Sequence, residues 1–303
     1  MFKRIGLFLM VNFAVMFTVM LVMNLLGVNH YMTKAGIDYS ALLVFCLLYG
    51  MVGAFISLLI SKKMAVWMMR LKVIKAGNAN QLESQLLTMV HRLSSVAGLP
   101  KNPDVAIYDS PEVNAFATGP TRSNSLVAVS SGLLHSMNEA EVEGVVAHEV
   151  AHIANGDMVT LTLIQGVINA FVMFFAKAAA WALANSMQGD DEESSPNYFM
   201  VMAIEMAFYV VFGMLGAVVV AWFSRFREYR ADAGAAKLAG KEKIISALEK
   251  LNNLTKQNQP YFAGSQSDSL ANFKISSSQK SWASFFSSHP PLEERIATLR
   301  KSY

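Results

Sequence analysis

The sequence predicts a mainly α membrane protein with four transmembrane helices and a cytoplasmic α+β domain containing a small β-sheet. Three observations carry that expectation. The 303 residues are 53% hydrophobic and only 16% charged, with a mean hydropathy of +0.35, which is too apolar for an ordinary soluble enzyme. The apolar residues gather into four long runs whose flanks carry basic and acidic residues unevenly. Between the second and third runs, residues 147–157 read Ala-His-Glu-Val-Ala-His-Ile-Ala-Asn-Gly-Asp, which places two histidines four residues apart.

Residues 5–28 hold no charge and are long enough to cross about 30 Å of hydrocarbon at 1.5 Å per residue. They come after Lys3 and Arg4. The run is too long for the apolar region of a signal peptide, and no convincing small-x-small cleavage site comes after it. It is therefore expected to stay as a first span. A second uncharged run, 39–60, ends at Lys62 and Lys63, with Arg70, Lys72 and Lys75 close behind. Both basic flanks belong in the cytoplasm, so residues 1–63 form a hairpin and the chain from residue 64 onward faces inward.

A soluble domain is expected over 64–157 and 224–303. Leu82, Leu86, Val90 and Leu93 recur at helical spacing until Gly98 and Pro100 stop them. Residues 105–108, 115–118 and 126–129 are β-compatible pieces set between Pro, Gly, Asn and Ser, with an exposed connection over 119–125. The two-histidine segment then starts with an N-cap and capping box, Asn138 and Glu141, and is ended or bent by Gly156. Residues 158–223 are expected to form a second membrane hairpin, with spans at 158–186 and 199–223, whose lengths of 25 residues or more argue against the alternative of a soluble helical hairpin buried against the domain. Lys177 and Glu205 fall at comparable depth in this membrane hairpin, where pairing lessens the cost of each. The acidic loop Asp190-Asp191-Glu192-Glu193 lies outside, and Arg225, Arg227 and Arg230 lie inside. Next come a helix over about 242–255, a long irregular loop, 257–288, and a short proline-started helix after His289-Pro290-Pro291.

Composition narrows the chemistry. The single cysteine, Cys46, sits inside an apolar run, so neither a disulfide framework nor a thiolate metal site is available. A formal charge of +3 is too small to suggest nucleic acid. On a helix, His148 and His152 share one face, where two neutral imidazoles can hold one Zn²⁺, and Glu149 can take a proton from a water activated by the metal. A catalytic zinc needs a third protein ligand. Glu228 is the best candidate, because the second hairpin returns it to the neighbourhood of the histidines. Asp232, one turn later on the same face, is suited to hold the outer nitrogen of a ligand histidine. The same ligand types also accept Co²⁺ or Mn²⁺. His289 is a candidate donor to a reaction oxyanion, with a solvent-exposed turn histidine as the plain alternative. Asn114, Ala115 and Phe116 belong to a possible edge strand that pairs with extended substrate.

With these residues in hand, the chain resembles the HtpX family of bacterial membrane-bound zinc metalloproteases, related to the CAAX prenyl proteases. The matching stretches are Asn114-Ala115-Phe116-Ala117-Thr118-Gly119, Ser130-Ser131-Gly132-Leu133, His148-Glu149-x-x-His152, Glu228-x-x-x-Asp232 and Ser288-His289-Pro290-Pro291. The resemblance implies a zincin-like (gluzincin) domain, with one Zn²⁺ on His148, His152 and Glu228 and Glu149 as catalytic base. It also implies an endopeptidase of the bacterial inner membrane, facing the cytoplasm, that acts on protein substrates in quality control and stress response.

Overall fold

The computed structural model describes residues 17–25, 32–33, 36–187, 198–258 and 289–301. Most of the first expected span, the acidic loop at 190–193 and nearly all of the 257–288 loop therefore lie outside the described residues. The chain divides into two compact units, Met1–Ser57 with Leu161–Val220 and Leu58–Thr160 with Ala221–Tyr303.

The described residues of the first unit are mainly helical, with a two-stranded ribbon, β1 (Met32–Thr33) and β2 (Gly36–Ile37). Among the described residues, three helices are long and apolar enough to cross a membrane: α1 (Tyr39–Met68), α5 (Asp157–Ser186) and α6 (Tyr198–Ala239). Residues 17–25 are also helical. Glycines let backbones approach closely, since a Cβ on Gly50 would lie 2.5 Å from the Gly166 carbonyl oxygen. The Lys177 ammonium meets Glu205 Oε1 at 2.6 Å. Phe171, Phe175, Met206, Val210 and Met214 are exposed, an apolar surface suited to lipid rather than water. This is a membrane protein.

The helices overrun the apolar stretches that reveal them. α1 continues through Lys62 and Lys63 to Met68, because lysine is a good helix former and only the hydropathy changes there. It stops where Arg70 takes φ +52°. α6 likewise runs unbroken past residue 223 to Ala239. Glu228 therefore sits inside a continuous helix rather than at the start of a new one.

The second unit holds a four-stranded mixed sheet in the order β3-β4-β6-β5, with β3 at Lys72–Val73, β4 at Asp104–Tyr108, β5 at Ala115–Thr121 and β6 at Asn124–Ser130. β4 and β6 are parallel, and the other pairs are antiparallel. Strand alternation sorts side chains into two layers. Val105, Ala115, Val127 and Val129 face the helices α2 (Gln81–Val96), α4 (Glu139–Asn155), α7 (Lys241–Asn258) and α8 (Leu292–Lys301). Ala106, Tyr108, Phe116, Leu126 and Ala128 face the other way, onto Ala65, Val66 and Met69. The short helix α3 (Ser131–Ser136) links β6 to Asn138.

The connection expected over 119–125 is tighter than that span. β5 and β6 are joined through Arg122 and Ser123, with a register irregularity between Thr118 and Thr121. Gly119 takes φ +139°, and a Cβ there would lie 2.3 Å from the Asn124 carbonyl oxygen. α4 has the Asn138–Glu141 capping box and ends at Gly156 in the left-handed region, φ +70°. Its middle is almost wholly buried, and Gly144 lets it lie against α7, since a Cβ would come 2.5 Å from the Lys243 carbonyl oxygen.

Candidate active site

α4 carries His148 and His152 on one face, and α6 brings Glu228 opposite them. His148 Nε2 lies 3.1 Å from His152 Nε2 and 3.3 Å from Glu228 Oε2. His152 Nε2 lies 3.4 Å from Glu228 Oε1. The two histidines meet different oxygens of Glu228, and one ligand atom from each of the three residues lies within 4.8 Å of the others, so this triangle of side chains can surround a single small cation. The donor set, two imidazoles and a carboxylate, suits zinc with a position left for water. Glu228 is only 1% exposed, and its buried charge is compensated in part by Arg295, whose Nη1 lies 3.7 Å from Oε2.

The outer nitrogens are also occupied. His148 Nδ1 lies 2.9 Å from Asp232 Oδ1. Arg295 of α8 grips the same carboxylate in a fork, with Nε to Oδ2 at 2.8 Å and Nη2 to Oδ1 at 2.6 Å. His152 Nδ1 lies 2.7 Å from Asp157 Oδ2, and Asp157 in turn pairs with Arg230. Burial opposes the charged form of both rings. Asp232 and Glu228 nevertheless raise His148, and Asp157 and Glu228 push His152 up to about 10. Glu149 is buried beside the triangle. Burial raises its carboxyl pKa, against the pull of the two histidines and a hydrogen bond from the Ala117 N–H.

His289 lies at Glu228, with Nδ1 2.9 Å from Oε2. Among the substrate candidates, the Asn114 main chain is already committed: its N–H donates to Ser130 Oγ at 3.1 Å, and its carbonyl accepts from the Ser130 N–H at 2.9 Å. Alternation along β5 then turns the main-chain groups of Ala115 and Ala117 toward the open edge. The Phe116 side chain is directed away into the lower layer against Tyr108, with ring centroids 5.9 Å apart.

Asp157, Arg230 and Arg295 are site residues that motif spacing did not single out. Asp157 lies five residues beyond His152, off the helix face that spacing rules consult, although the glycine just before it is a signal that the face changes. Arg295 carries no local mark at all.

A two-histidine helix facing a glutamate from a second helix, beside the open edge of a small sheet, defines a metallopeptidase. The model of peptidase family M48 matches residues 80–303. The chain is 50% identical over 299 residues to the protease HtpX of Shewanella pealeana, covering 98% of this chain and 99% of that one. It is 48% identical over 301 residues to a protease HtpX homolog of Prosthecochloris aestuarii, covering 99% of each. The chain belongs to the HtpX protease family of M48 peptidases. The fold is also similar to the crystal structure of S. mikatae Ste24p, with a TM-score of 0.64 and 18% identity over 99% of this chain. This chain spans 65% of that longer one.

Proposed function

We propose that the protein is a zinc-dependent endopeptidase of the bacterial inner membrane that hydrolyses misfolded or damaged membrane proteins in quality control and stress response. The observation that carries the zinc reading is the convergence of His148, His152 and Glu228, which offer three ligand atoms within 4.8 Å of one another. The proposed arrangement has four spans, two in residues 1–63 and two in 158–223. The catalytic domain, 64–157 with 224–303, and both termini lie on the cytoplasmic side, supported by the basic residues that flank each hairpin. That placement puts membrane proteins within reach as substrates and lipid in contact with the spans.

When bound by these three side chains, zinc supplies polarisation of the scissile carbonyl and activation of a water molecule. Glu149 takes the water proton and returns it to the leaving amine nitrogen, a role served by a carboxyl that burial holds above its ordinary range. His289, already beside the ligand carboxylate, is the proposed donor to the oxyanion. The outward main-chain groups of Ala115 and the carbonyl of Ala117, whose N–H is held by Glu149, align an extended chain along β5, with Asn114 just before the strand. Asp232, fixed by Arg295, keeps His148 Nε2 turned toward the metal.

Purified full-length protein in detergent is expected to cleave an unfolded protein, to stop when stripped by chelator and to recover on adding zinc. Glu149→Gln should retain zinc and lose at least about 10²-fold in rate, the lower range for a general base. Cleavage that persists after stripping, or in Glu149→Gln, would refute the proposal.

A further inference from the structure

The structure assigns to Asp157 the task of positioning His152: clamped by two arginines of α6, it fixes which ring nitrogen of that histidine faces the metal. This inference rests on the metal site proposed above. Asp157 is 1% exposed, and its Oδ2 lies 2.7 Å from His152 Nδ1. With the Asp157 carboxylate accepting the Nδ1 proton, the Nε2 lone pair is left directed at Glu228 and His148.

The contact depends on a break in the helix. In an unbroken helix, residues five apart point about 140° away from each other at 3.6 residues per turn. Gly156, at φ +70° and ψ +29°, ends α4 in the left-handed conformation, and α5 begins at once with Asp157. The bend carries Asp157 back over the last turn of α4. Its place in the first turn of α5 also favours the ionised carboxylate.

Two cations hold Asp157 there. Arg230 pairs with Oδ1, and Arg227 Nη1 donates to the Asp157 main-chain carbonyl at 3.1 Å. Both arginines belong to the same turns of α6 as Glu228 and Asp232. One helix therefore supplies a metal ligand, the acid that holds His148 and the cations that hold the acid behind His152. Each histidine ends in a His-Asp-Arg chain, through Arg295 for His148 and Arg230 for His152.

The test uses full-length protein in detergent, stripped of metal, with zinc affinity read by competition against a chromophoric chelator and melting followed without metal. Asp157→Ala should bind zinc about 10- to 100-fold more weakly, the usual cost of losing such a partner. The visible spectrum of the Co²⁺ form should change as the His152 ring turns. Asp157→Asn, which can still accept from Nδ1, should lose less. Arg230→Gln should lose affinity too, and with Asp157→Asn it decides the matter if Asp157→Ala does not fold. Variants that melt lower but bind zinc within twofold of the parent would reduce Asp157 to a structural residue and overturn the inference. Glu228→Ala separates the two claims. If it leaves zinc affinity unchanged, the metal-site reading fails; if it abolishes tight binding while the Asp157 and Arg230 variants retain it, the positioning role alone fails.

Discussion

Arg295 shows what one residue costs and secures here. Its side chain is 1% exposed, and burial opposes its charge, yet Asp232, Glu228 and Glu149 keep it firmly ionised. Removing one partner of a buried pair leaves the other charge uncompensated, which costs about 3–5 kcal/mol. Arg295→Met should therefore lower the melting temperature of the metal-free protein sharply. Arg295→Lys, which keeps the charge but not the two-pronged grip, should restore only part of the loss. Equal melting of Arg295→Met and the parent would contradict this account. The group that could hold a metal was legible in the sequence because His148 and His152 share one helical motif and Glu228 comes just after an apolar run. Arg295 and Asp157 were not: the first is distant in sequence, and the second reaches His152 only because Gly156 breaks the helical count. Sequence spacing reports neighbours within an unbroken element, and both of these contacts lie outside one.

The elements are joined by a charge that serves no chemistry. Glu143 on α4 is buried between Arg92 of α2 and Lys243 of α7, each at 2.8 Å. Burial raises its carboxyl pKa, but the two cations more than offset this and hold it below the ordinary value. A depressed folded pKa contributes stability that is present above the unfolded value, about 4.3, and is lost as pH falls through the folded value. Both cations are more than a third exposed, so the contribution is about 1 kcal/mol. Melting followed from pH 7 down to pH 3 should fall more steeply for the parent than for Glu143→Gln, and parallel curves would rule the linkage out. Element boundaries were the least legible part of the fold. Hydropathy locates where a helix would leave lipid, whereas α1 and α6 go on as helices well into the second unit. The strands were visible as short β-compatible pieces set between Pro, Gly, Asn and Ser, and their two faces are buried in separate apolar layers.

At the scale of the whole molecule, the proposed orientation rests on charge. Basic residues cluster at Lys3 and Arg4, at Lys62 through Lys75 and at Arg225 through Arg230, while the acidic run Asp190-Asp191-Glu192-Glu193 stands alone between the last two apolar stretches. Retention of basic flanks on the cytoplasmic side sets all four spans at once. The pair of Lys177 and Glu205, 2.6 Å apart, removes the main objection to two spans in 158–223, since a paired charge is less costly in hydrocarbon than a lone one. The sequence makes the orientation easy to test, because Cys46 is its only cysteine. In a Cys46→Ser background, Asp191→Cys should react with a membrane-impermeant maleimide added to intact spheroplasts. Glu242→Cys, at an exposed position of α7, should react only after permeabilisation. Labelling of both positions from outside, or of Glu242→Cys alone, would invert or dismantle the arrangement and put the metal site on the opposite side of the membrane from the one proposed.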